Sequence, residues 1–310
     1  MRFCTLGKSG EKASVVGLGT WPLGGGYDWG PVSENDAVSV VHEALAQGIN
    51  LIDTAPIYGN GNSELLLGKA LVNKRSQVIL ASKCGLVKNG SWTDHDLSPS
   101  SIQAQLNDSL LRLKTDYLDL YFIHYPDPKI PLADAVGELE RLRTAGKIRM
   151  IGLCNVSAEQ VAQAAKEAEI TCVQNEYSLL HQAAGEKVIG FCAAHQISFM
   201  GYGTLCGGIL SGKYKKEPNF RRADARNYFY KIARGTAFEQ GLKIATRIQK
   251  IAKQKNCPSA AVAGAWALNK ANFILCGAKN VQQVGQNVQA ADIILSPAEI
   301  AFLEQTNECN

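Results

Sequence analysis

The sequence predicts an α/β protein in which eight parallel strands alternate with helices and close into a barrel. From residue 49 onwards, strand-like and helix-like segments alternate with little interruption. Several of the strand candidates are near-continuous apolar runs, such as VILAS, YLDLYFI and ISFMGY, which are typical of parallel strands covered on both sides. Eight units in a chain of 310 residues favour a closed barrel over an open doubly wound sheet. We therefore expect a single (β/α)8 TIM barrel domain over residues 1–310, with an N-terminal β-hairpin and a C-terminal helix.

The hairpin is predicted at the start of the chain. Residues 2–7 and 13–17 are short strand-like segments on either side of the turn KSG. Leu18–Trp21 resembles the first barrel strand and runs into a loop of three consecutive glycines. Ser33 is a suitable N-cap for a helix through Gln47, in which apolar residues recur on one face.

The other elements follow in alternation. The further barrel strands are predicted at residues 49–53, 78–83, 117–123, 148–153, 171–175, 197–202 and 273–276. Helical patterns fill residues 63–72, 99–112, 132–145, 157–167 and 185–195, two helices within 236–269, and 280–289. The longest irregular stretch, from Cys206 to about Gly235, is too long for a simple connection, so we expect an active-site loop there.

Composition and charge exclude several classes of protein. Hydrophobic residues make up 46% of the chain and charged residues 19%, as in a folded globular protein. The net charge of +4 is mild, and the charges form no long runs, so neither nucleic acid nor a membrane surface is expected as a partner. The first ten residues are too polar for a signal peptide, and no stretch of 18 apolar residues exists. These features predict a cytoplasmic protein.

The cysteines predict neither disulfides nor a metal site. Their number is odd, and none falls in a CxxC pair or in a Cys/His metal spacing. Most lie in apolar segments, where a thiol behaves as a small hydrophobe, and we expect them to be reduced. The nine are Cys4, Cys84, Cys154, Cys172, Cys192, Cys206, Cys257, Cys276 and Cys309.

Four polar residues lie at or just after the ends of consecutive predicted strands. Asp53 closes the strand at 49–53 and Tyr58 follows in a loop, Lys83 closes VILASK, and His124 closes LDLYFIH. Singly, each has an ordinary explanation as a cap, a turn residue, a solvated lysine or a core histidine. In a barrel, the C-terminal ends of consecutive strands lie side by side, so the four would converge on one mouth.

These four residue types suit the protonation of an oxyanion. Free tyrosine has a pKa of about 10, too high for an efficient proton donor near neutrality. A neighbouring ammonium favours the phenolate, so Lys83 is expected to lower the pKa of Tyr58, while Asp53 keeps Lys83 charged and oriented. His124 would hydrogen-bond the substrate oxygen. The set therefore points to carbonyl reduction by hydride transfer.

At this point the chain resembles the aldo-keto reductase family. The segments DTAPIYGNGNSE, ASKCG, DLYFIH, GLCNVS, VQNEYSLL, YGTLCGGILSGKY and GAKNVQQVGQN occur in the family's order and spacing. The resemblance extends from TLGKSG near the start to LSPAEIAFLE near the end, within the branch that includes bacterial general-stress and inositol-operon-type members and potassium-channel β subunits. It implies a barrel that binds a nicotinamide dinucleotide across its mouth, with Tyr58 as general acid/base, Lys83 and Asp53 tuning it, and His124 orienting the carbonyl. The absence of a GxGxxG fingerprint agrees with a fold that has no Rossmann domain.

The resemblance also implies a set of cofactor-binding positions. Cys154 stands where serine is usual, so one hydrogen bond to the carboxamide is expected to be weaker or absent. Gln283 stands where many members have an arginine for the 2′-phosphate, and strict NADPH preference is therefore not expected. We expect NADPH as the cofactor, with NADH as the alternative. The positions are Gly19, Thr20, Trp21, Asp53, Cys154, Asn155, Gln174, Tyr202, Gly203, Thr204, Leu205, Gly207, Lys213, Arg222, Gly277, Lys279, Gln283, Gln286 and Asn287.

The substrate is less well defined by the sequence. Aromatic residues in loops are expected to line the mouth and to suit sugar rings or aromatic aldehydes, although ordinary loop packing explains each equally well. They are Tyr27, Trp29, Trp92, Tyr125 and Phe229. The leading interpretation is an NAD(P)H-dependent oxidoreductase acting on an aldehyde, a ketone or a sugar. The alternatives are an NAD-dependent sugar dehydrogenase and a nucleotide-sensing regulatory subunit, and the sequence leaves a monomer and a homo-oligomer equally open.

Overall fold

The computed structural model describes residues 1–90, 92–230 and 234–305. Within these ranges the strands are β1 (Phe3–Thr5), β2 (Lys12–Ser14), β3 (Val16–Gly19), β4 (Leu51–Asp53), β5 (Ile79–Cys84), β6 (Leu86–Asn89), β7 (Trp92–His95), β8 (Leu118–Ile123), β9 (Ile148–Cys154), β10 (Ile170–Glu176), β11 (Ser198–Tyr202) and β12 (Phe273–Gly277). Eight of these strands, β3, β4, β5, β8, β9, β10, β11 and β12, form a closed parallel barrel in chain order, with β12 paired to β3. The predicted (β/α)8 barrel is confirmed.

The helices connect the barrel strands and cover their outer faces. In the described ranges they are α1 (Trp21–Gly24), α2 (Gly26–Trp29), α3 (Glu34–Ala46), α4 (Asn62–Ala70), α5 (Pro99–Leu113), α6 (Leu132–Thr144), α7 (Ala158–Ala164), α8 (Ala183–Ala194), α9 (Ala225–Tyr228), α10 (Gly235–Lys255), α11 (Ser259–Ala267), α12 (Val281–Val288) and α13 (Pro297–Glu304). Single turns of 3-10 helix occur at Arg75–Gln77 and Gln289–Ala291, and a longer one at Cys206–Ser211.

Local sequence explains where these helices begin. Ser33 caps α3 as predicted, because its side chain accepts a hydrogen bond from the Asp36 N–H at 3.0 Å. Ser296 and Glu299 form a reciprocal capping box at the start of α13, the expected C-terminal helix. Asn280 caps α12, because its side-chain oxygen accepts a hydrogen bond from the Gln283 N–H at 3.0 Å.

The hydrophobic core has two parts. One lies inside the barrel and includes Leu51, Phe122, Met200 and Phe273 from the strands. The hairpin of β1 and β2 is joined to this interior by Leu6, which is fully buried. The hairpin therefore closes the N-terminal end of the barrel, which we call the floor; the opposite end, where the strands finish, is the mouth. The larger part of the core lies between the barrel and the helices.

The predicted boundaries of the first elements were wrong. The second hairpin strand ends at Ser14 rather than residue 17, and the first barrel strand is Val16–Gly19 rather than Leu18–Trp21. Trp21 instead begins a one-turn helix, because Pro22 at its start lacks an N–H for the strand ladder and has a fixed φ. The antiparallel ribbon of β6 and β7 was not predicted either.

Candidate active site

Strand register brings three of the predicted residues to the same end of the barrel. Asp53 is the last residue of β4, Lys83 is the last but one of β5, and His124 directly follows β8. In the ladder, Asp53 is opposite Ala81 and Lys83 is opposite Phe122. All three therefore lie at the mouth, where parallel barrels carry their functional groups.

Lys83 is the centre of the cluster. Its side chain is fully buried, and its ammonium group lies 2.6 Å from Asp53 Oδ1, 2.9 Å from the Thr54 carbonyl oxygen and 3.3 Å from Tyr58 Oη. These three contacts match the three donors of an ammonium group. The other oxygen of Asp53 accepts a hydrogen bond from Gln174 Nε2 at 2.9 Å, so the buried carboxylate is paired on both sides. The arrangement fixes a positive charge next to the Tyr58 hydroxyl.

His124 stands across from Tyr58. The two ring centroids are 6.0 Å apart, and the ring planes are nearly perpendicular at 84°. The His124 carbonyl accepts a hydrogen bond from Asn155 Nδ2 at 2.8 Å, and Asn155 Oδ1 accepts one from Tyr202 Oη at 2.7 Å. Tyr125 stacks on the His124 ring with centroids 5.3 Å apart. These contacts hold the imidazole at the mouth beside the tyrosine.

The protonation of these groups differs from the sequence expectation. Burial, and then the nearby Asp53 carboxylate, raise the pKa of Tyr58 well above its ordinary value, so the expected lowering by Lys83 is wrong for this state of the site. Tyr58 is therefore a neutral phenol that carries its proton. The pKa of His124 is well below its usual range, first because of burial and then because of the positive charge of Lys83. His124 is therefore neutral at pH 7 and can donate a hydrogen bond without carrying a charge.

A cavity of about 430 Å³ opens beside this cluster. Tyr58 is part of its wall. So are most of the predicted cofactor positions, which come from the ends of five different strands and the segments that follow them: Gly19, Trp21, Asp53, Gln174, Tyr202, Gly203, Thr204, Leu205, Gly207, Lys213, Gly277, Lys279, Gln283, Gln286 and Asn287. A cleft of this extent, with apolar and polar walls, suits an elongated ligand.

Other predicted cofactor positions lie outside the cavity wall. Thr20 is fully buried and bonds the Asp53 carbonyl, Cys154 is buried inside the barrel, and Asn155 bonds His124 as described. Arg222 is exposed and does not line the cavity, and Arg226 lines it instead. Arg226 ion-pairs with Asp224 at 2.6 Å. The cofactor-binding role expected of Arg222 stays a prediction.

The polar groups of the cavity fit a pyrophosphate-containing cofactor. Thr204 lines the cavity, and its buried hydroxyl has no hydrogen-bond partner within the described ranges. Gly207 and Gly208 both have positive φ, and a Cβ on Gly208 would lie 2.8 Å from Lys213 Nζ. Glycines here let backbone and ammonium approach closely, as anion-binding loops require. Lys279 lies nearby, and its pKa is lowered by burial and then by Arg226, which indicates a concentration of positive charge.

Sequence reasoning missed part of this wall. The cavity is also lined by Gly208, Ser211, Tyr230, and residues 258–260 at the start of α11. A pair of adjacent glycines and a Pro-Ser helix start were visible signals for two of these positions. The path of the loop that brings Tyr230 to the cavity had no such signal.

The predicted substrate residues divide into two groups. Trp29 lines the cavity, Tyr125 stacks on His124, and Phe229 packs edge-on against Trp21 at 4.9 Å. Tyr27 and Trp92 are 84% and 80% exposed and do not line the cavity. Trp21 also stacks on Tyr58, with the ring centroids 5.8 Å apart, so the phenol ring has Trp21 and His124 as aromatic neighbours.

Comparison with known proteins identifies the family. The family model described as "Aldo/keto reductase family" matches residues 15–308. The chain belongs to this family. It is 36% identical to the aldo-keto reductase YhdN of Bacillus subtilis over 92% of this chain and 87% of the relative. It is 34% identical to an NADH-specific methylglyoxal reductase of Escherichia coli over 99% of both chains. The solved glycerol dehydrogenase AKR11B4 of Gluconobacter oxydans is similar with a TM-score of 0.88 and 31% identity, over 97% of this chain and 94% of that one.

Membership confirms the enzyme class expected from the sequence. The protein is an NAD(P)-dependent oxidoreductase with an aldo-keto reductase barrel. Across the described residues, no helix is long and apolar enough to cross a membrane. The same part of the chain contains no group of three or more His, Cys, Asp or Glu side chains placed to hold a metal ion. Cys309 lies outside the described residues, and the eight other cysteines are free thiols.

Proposed function

We propose that this protein reduces small aldehydes or ketones with NADPH or NADH, and that Tyr58 is the general acid. The observation that carries the proposal is the 3.3 Å contact between Tyr58 Oη and the buried Lys83 ammonium at the edge of the cavity. A neutral phenol beside a fixed positive charge can release its proton to a developing alkoxide, because the ammonium stabilises the phenolate that remains.

Each of the other three residues supports this proton transfer. Asp53 holds the Lys83 ammonium in place through the 2.6 Å ion pair. The neutral His124 imidazole donates a hydrogen bond to the carbonyl oxygen and orients it towards Tyr58. The bound nicotinamide dinucleotide supplies the hydride. In the oxidative direction, Tyr58 would accept from the alcohol the proton that it donates in reduction.

The cavity residues hold the cofactor in this proposal. Tyr202 and Gln174 would contact the nicotinamide end. The Cys154 thiol, which stands where serine is usual, is buried outside the cavity wall and would give the carboxamide a weaker hydrogen bond or none. The segment from Gly203 to Leu205, together with Gly207 and Lys213, would bind the pyrophosphate. At the adenosine end the groups are Gly277, Lys279, Gln283, Gln286 and Asn287, together with Arg226.

Cofactor preference follows from the charges at the adenosine end. Arg226 and Lys279 line this end of the cavity and favour the additional phosphate of NADPH. Gln283 adds no charge, and its Oε1 accepts a hydrogen bond from the Lys279 N–H at 2.7 Å. The relative in Escherichia coli is NADH-specific. We therefore propose NADPH as the preferred cofactor, with measurable binding of NADH.

A second function is favoured by one structural neighbour, the glycerol dehydrogenase of Gluconobacter oxydans. The same site would then oxidise a polyol or sugar with NAD⁺, since the catalytic groups serve both directions. Methylglyoxal with NADPH or NADH tests reduction, and glycerol with NAD⁺ or NADP⁺ tests oxidation. Substrate turnover in only one of these assays decides between them.

The role of Tyr58 is tested by Tyr58→Phe. We expect kcat to fall by about 10²- to 10⁴-fold, because the proton donor is lost. Cofactor affinity should stay within twofold of the wild type. It is measured by the quenching of tryptophan emission from Trp21 and Trp29, which line the cavity. The matched control is Tyr121→Phe, which removes a fully buried hydroxyl outside the cavity and should leave kcat unchanged. More than a few per cent of wild-type activity in Tyr58→Phe would rule out the assignment.

A further inference from the structure

Ser63 and Glu64, at the start of α4, are polar side chains that take no part in the chemistry proposed above. Both are completely buried. They follow the loop that carries Tyr58, and their hydrogen bonds reach the ends of three consecutive strands, β3, β4 and β5. We call these two residues the positioning pair.

The Ser63 hydroxyl is linked to both members of the buried ion pair. It lies 2.7 Å from Thr20 Oγ1, whose own hydroxyl donates to the Asp53 carbonyl at 2.8 Å. It also lies 3.0 Å from Thr54 Oγ1, and the Thr54 carbonyl accepts a hydrogen bond from Lys83 Nζ at 2.9 Å. One intervening residue therefore separates Ser63 from Asp53 on one side and from Lys83 on the other.

The backbone of Ser63 completes the connection to the proposed proton donor. Its N–H donates to the Tyr58 carbonyl oxygen at 3.3 Å, which ties the Tyr58 loop to the first turn of α4. Ser63 thus contacts, directly or through one residue, all three of Tyr58, Lys83 and Asp53.

Glu64 fixes the same helix against β5. Its Oε1 accepts from Ser82 Oγ at 2.6 Å, and its Oε2 accepts from Arg112 Nε at 2.7 Å. Ser82 directly precedes Lys83 on β5, and Arg112 lies on α5. A fully desolvated carboxylate keeps such partners in one geometry, because losing either contact leaves a buried charge unpaired.

We propose that Ser63 and Glu64 are positioning residues, which set the distances among Tyr58, Lys83 and Asp53 without touching substrate or cofactor. The inference rests on the proposed role of Tyr58 as proton donor. Displacement of a catalytic group by about 1 Å can lower a rate 10²-fold, so the effect should appear in kcat rather than in cofactor binding.

The chain offers a matched control for each residue. Ser14 is also fully buried and joins β3 to β4, but at the floor: its hydroxyl donates to the Val16 carbonyl at 2.9 Å and accepts from the N–H groups of Asn50 at 3.1 Å and Leu51 at 3.3 Å. Removing this hydroxyl breaks a comparable set of bonds far from the mouth.

Glu138 is the control for Glu64. It is a buried glutamate on α6 that accepts from Gln103 Nε2 at 2.7 Å and from Arg141 Nη1 at 3.1 Å, both on the outer helices. Replacing either glutamate by glutamine leaves an arginine without its carboxylate. Because Arg112 is 25% exposed and Arg141 is 79% exposed, the loss of stability should be larger in Glu64→Gln.

The experiment compares Ser63→Ala with Ser14→Ala and Glu64→Gln with Glu138→Gln in the full chain. We expect the first of each pair to lower kcat by about 10- to 100-fold, with the Kd for NADPH changed less than twofold. We expect Ser14→Ala to lower Tm about as much as Ser63→Ala, Glu138→Gln to lower it less than Glu64→Gln, and both controls to keep kcat within twofold. Equal losses of kcat in a variant and its control, or no loss in Ser63→Ala, would overturn the proposal.

A measurement without turnover separates this proposal from the proposed function. In protein labelled with 13C-tyrosine, the Tyr58 ring resonance is assigned from its absence in Tyr58→Phe. It should shift in Ser63→Ala and in Thr54→Val, which removes one hydroxyl at nearly constant volume, and not in Ser14→Ala. If the resonance shifts in these variants while the wild-type protein reduces no carbonyl, the positioning role is supported and the proposed function is ruled out. An unmoved resonance in both mouth variants overturns the positioning role, whatever the activity.

Discussion

Each end of the barrel buries a carboxylate paired with basic side chains, and the two clusters differ in what surrounds them. At the floor, Asp119 near the start of β8 forms ion pairs with Arg75 Nη2 at 2.8 Å and Arg149 Nη1 at 3.2 Å, and it accepts a hydrogen bond from the Leu80 N–H at 2.9 Å. The two guanidinium groups lie against the ring of Tyr117, 4.2 and 4.1 Å from its centroid. Every polar group of this carboxylate is satisfied within the protein, and its neighbours are structural.

At the mouth, the ion pair between Asp53 and Lys83 is 2.6 Å long, close to the 2.8 Å between Asp119 and Arg75 at the floor, but its neighbour is different. The third contact of the ammonium is the Tyr58 hydroxyl, and Tyr58 lines a cavity. The floor cluster thus holds strands together, whereas the mouth cluster holds a charge next to an open site. The comparison teaches that burial of an ion pair does not by itself point to catalysis. What distinguishes the mouth is a phenol that carries its proton, held next to the buried charge at the edge of the 430 Å³ cavity.

The largest expected effect breaks the mouth cluster. Lys83→Met removes the charge beside Tyr58 and leaves the buried Asp53 with Gln174 as its remaining side-chain partner. We expect kcat to fall by about 10³-fold, because the phenolate that Tyr58 becomes on giving up its proton is then no longer stabilised. The control is Lys69→Met, which breaks an exposed pair with Glu34 and should leave kcat unchanged. A mouth cluster that is purely structural would lose stability in Lys83→Met and keep its kcat.

The next effect breaks the floor cluster. Asp119→Asn leaves two arginines without their carboxylate, and we expect the free energy of unfolding to fall by about 3 kcal/mol. Urea titration measures this loss, and kcat of the folded protein should stay within twofold of the wild type. Glu140→Gln, which breaks a surface pair with Arg143, should change stability by less than about 0.5 kcal/mol. A large drop in kcat for Asp119→Asn would show that the two ends are coupled.

A smaller effect concerns charge at the mouth alone. Gln283→Arg places a guanidinium group at the adenosine end of the cavity, and we expect the ratio of NADH to NADPH dissociation constants to rise about tenfold. Fluorescence titration with each cofactor measures the ratio. Gln289→Arg, beyond the end of the same helix and outside the cavity, adds the same charge and should leave the ratio within twofold. A ratio that is equal in the two variants would mean that Gln283 does not face the 2′-phosphate.

The comparison of the two ends also explains what the sequence could predict. Parallel strands finish at one edge, so the positions of Asp53, Lys83 and His124 followed from locating the strands. The closed barrel followed from the number and order of those strands. The hydrogen bonds of Ser63 could not be predicted from the sequence, because its hydroxyl partners Thr20 and Thr54 follow two different strands whose approach depends on tertiary packing.

Other features depend on three-dimensional structure in ways that a pattern does not reveal. The loop after β11 crosses the mouth so that Arg226 rather than Arg222 lines the cavity, and neither residue type nor spacing distinguishes the two. The pKa of Tyr58 was expected to fall because a lysine is near, but burial and the adjacent carboxylate outweigh that charge. The strength of desolvation is a property of the folded site.

The smallest expected effect is a flat pH profile, and it tests the electrostatics of the mouth most directly. The pKa of Tyr58 is raised and that of His124 is lowered, so both are neutral over the whole interval between their ordinary values of 6.5 and 10.0. In reduction, Tyr58 must carry its proton, which is lost only above its raised pKa. His124 must remain neutral, and it gains a proton only below its lowered pKa.

We therefore expect kcat/KM for carbonyl reduction to vary by less than about twofold from pH 6.5 to 9, measured at saturating cofactor. An inflection near pH 7 that disappears in His124→Gln would contradict the neutral histidine. An inflection near pH 9 that disappears in Tyr58→Phe would show that cofactor binding changes the site enough for Lys83 to lower the pKa of Tyr58, as the sequence alone suggested.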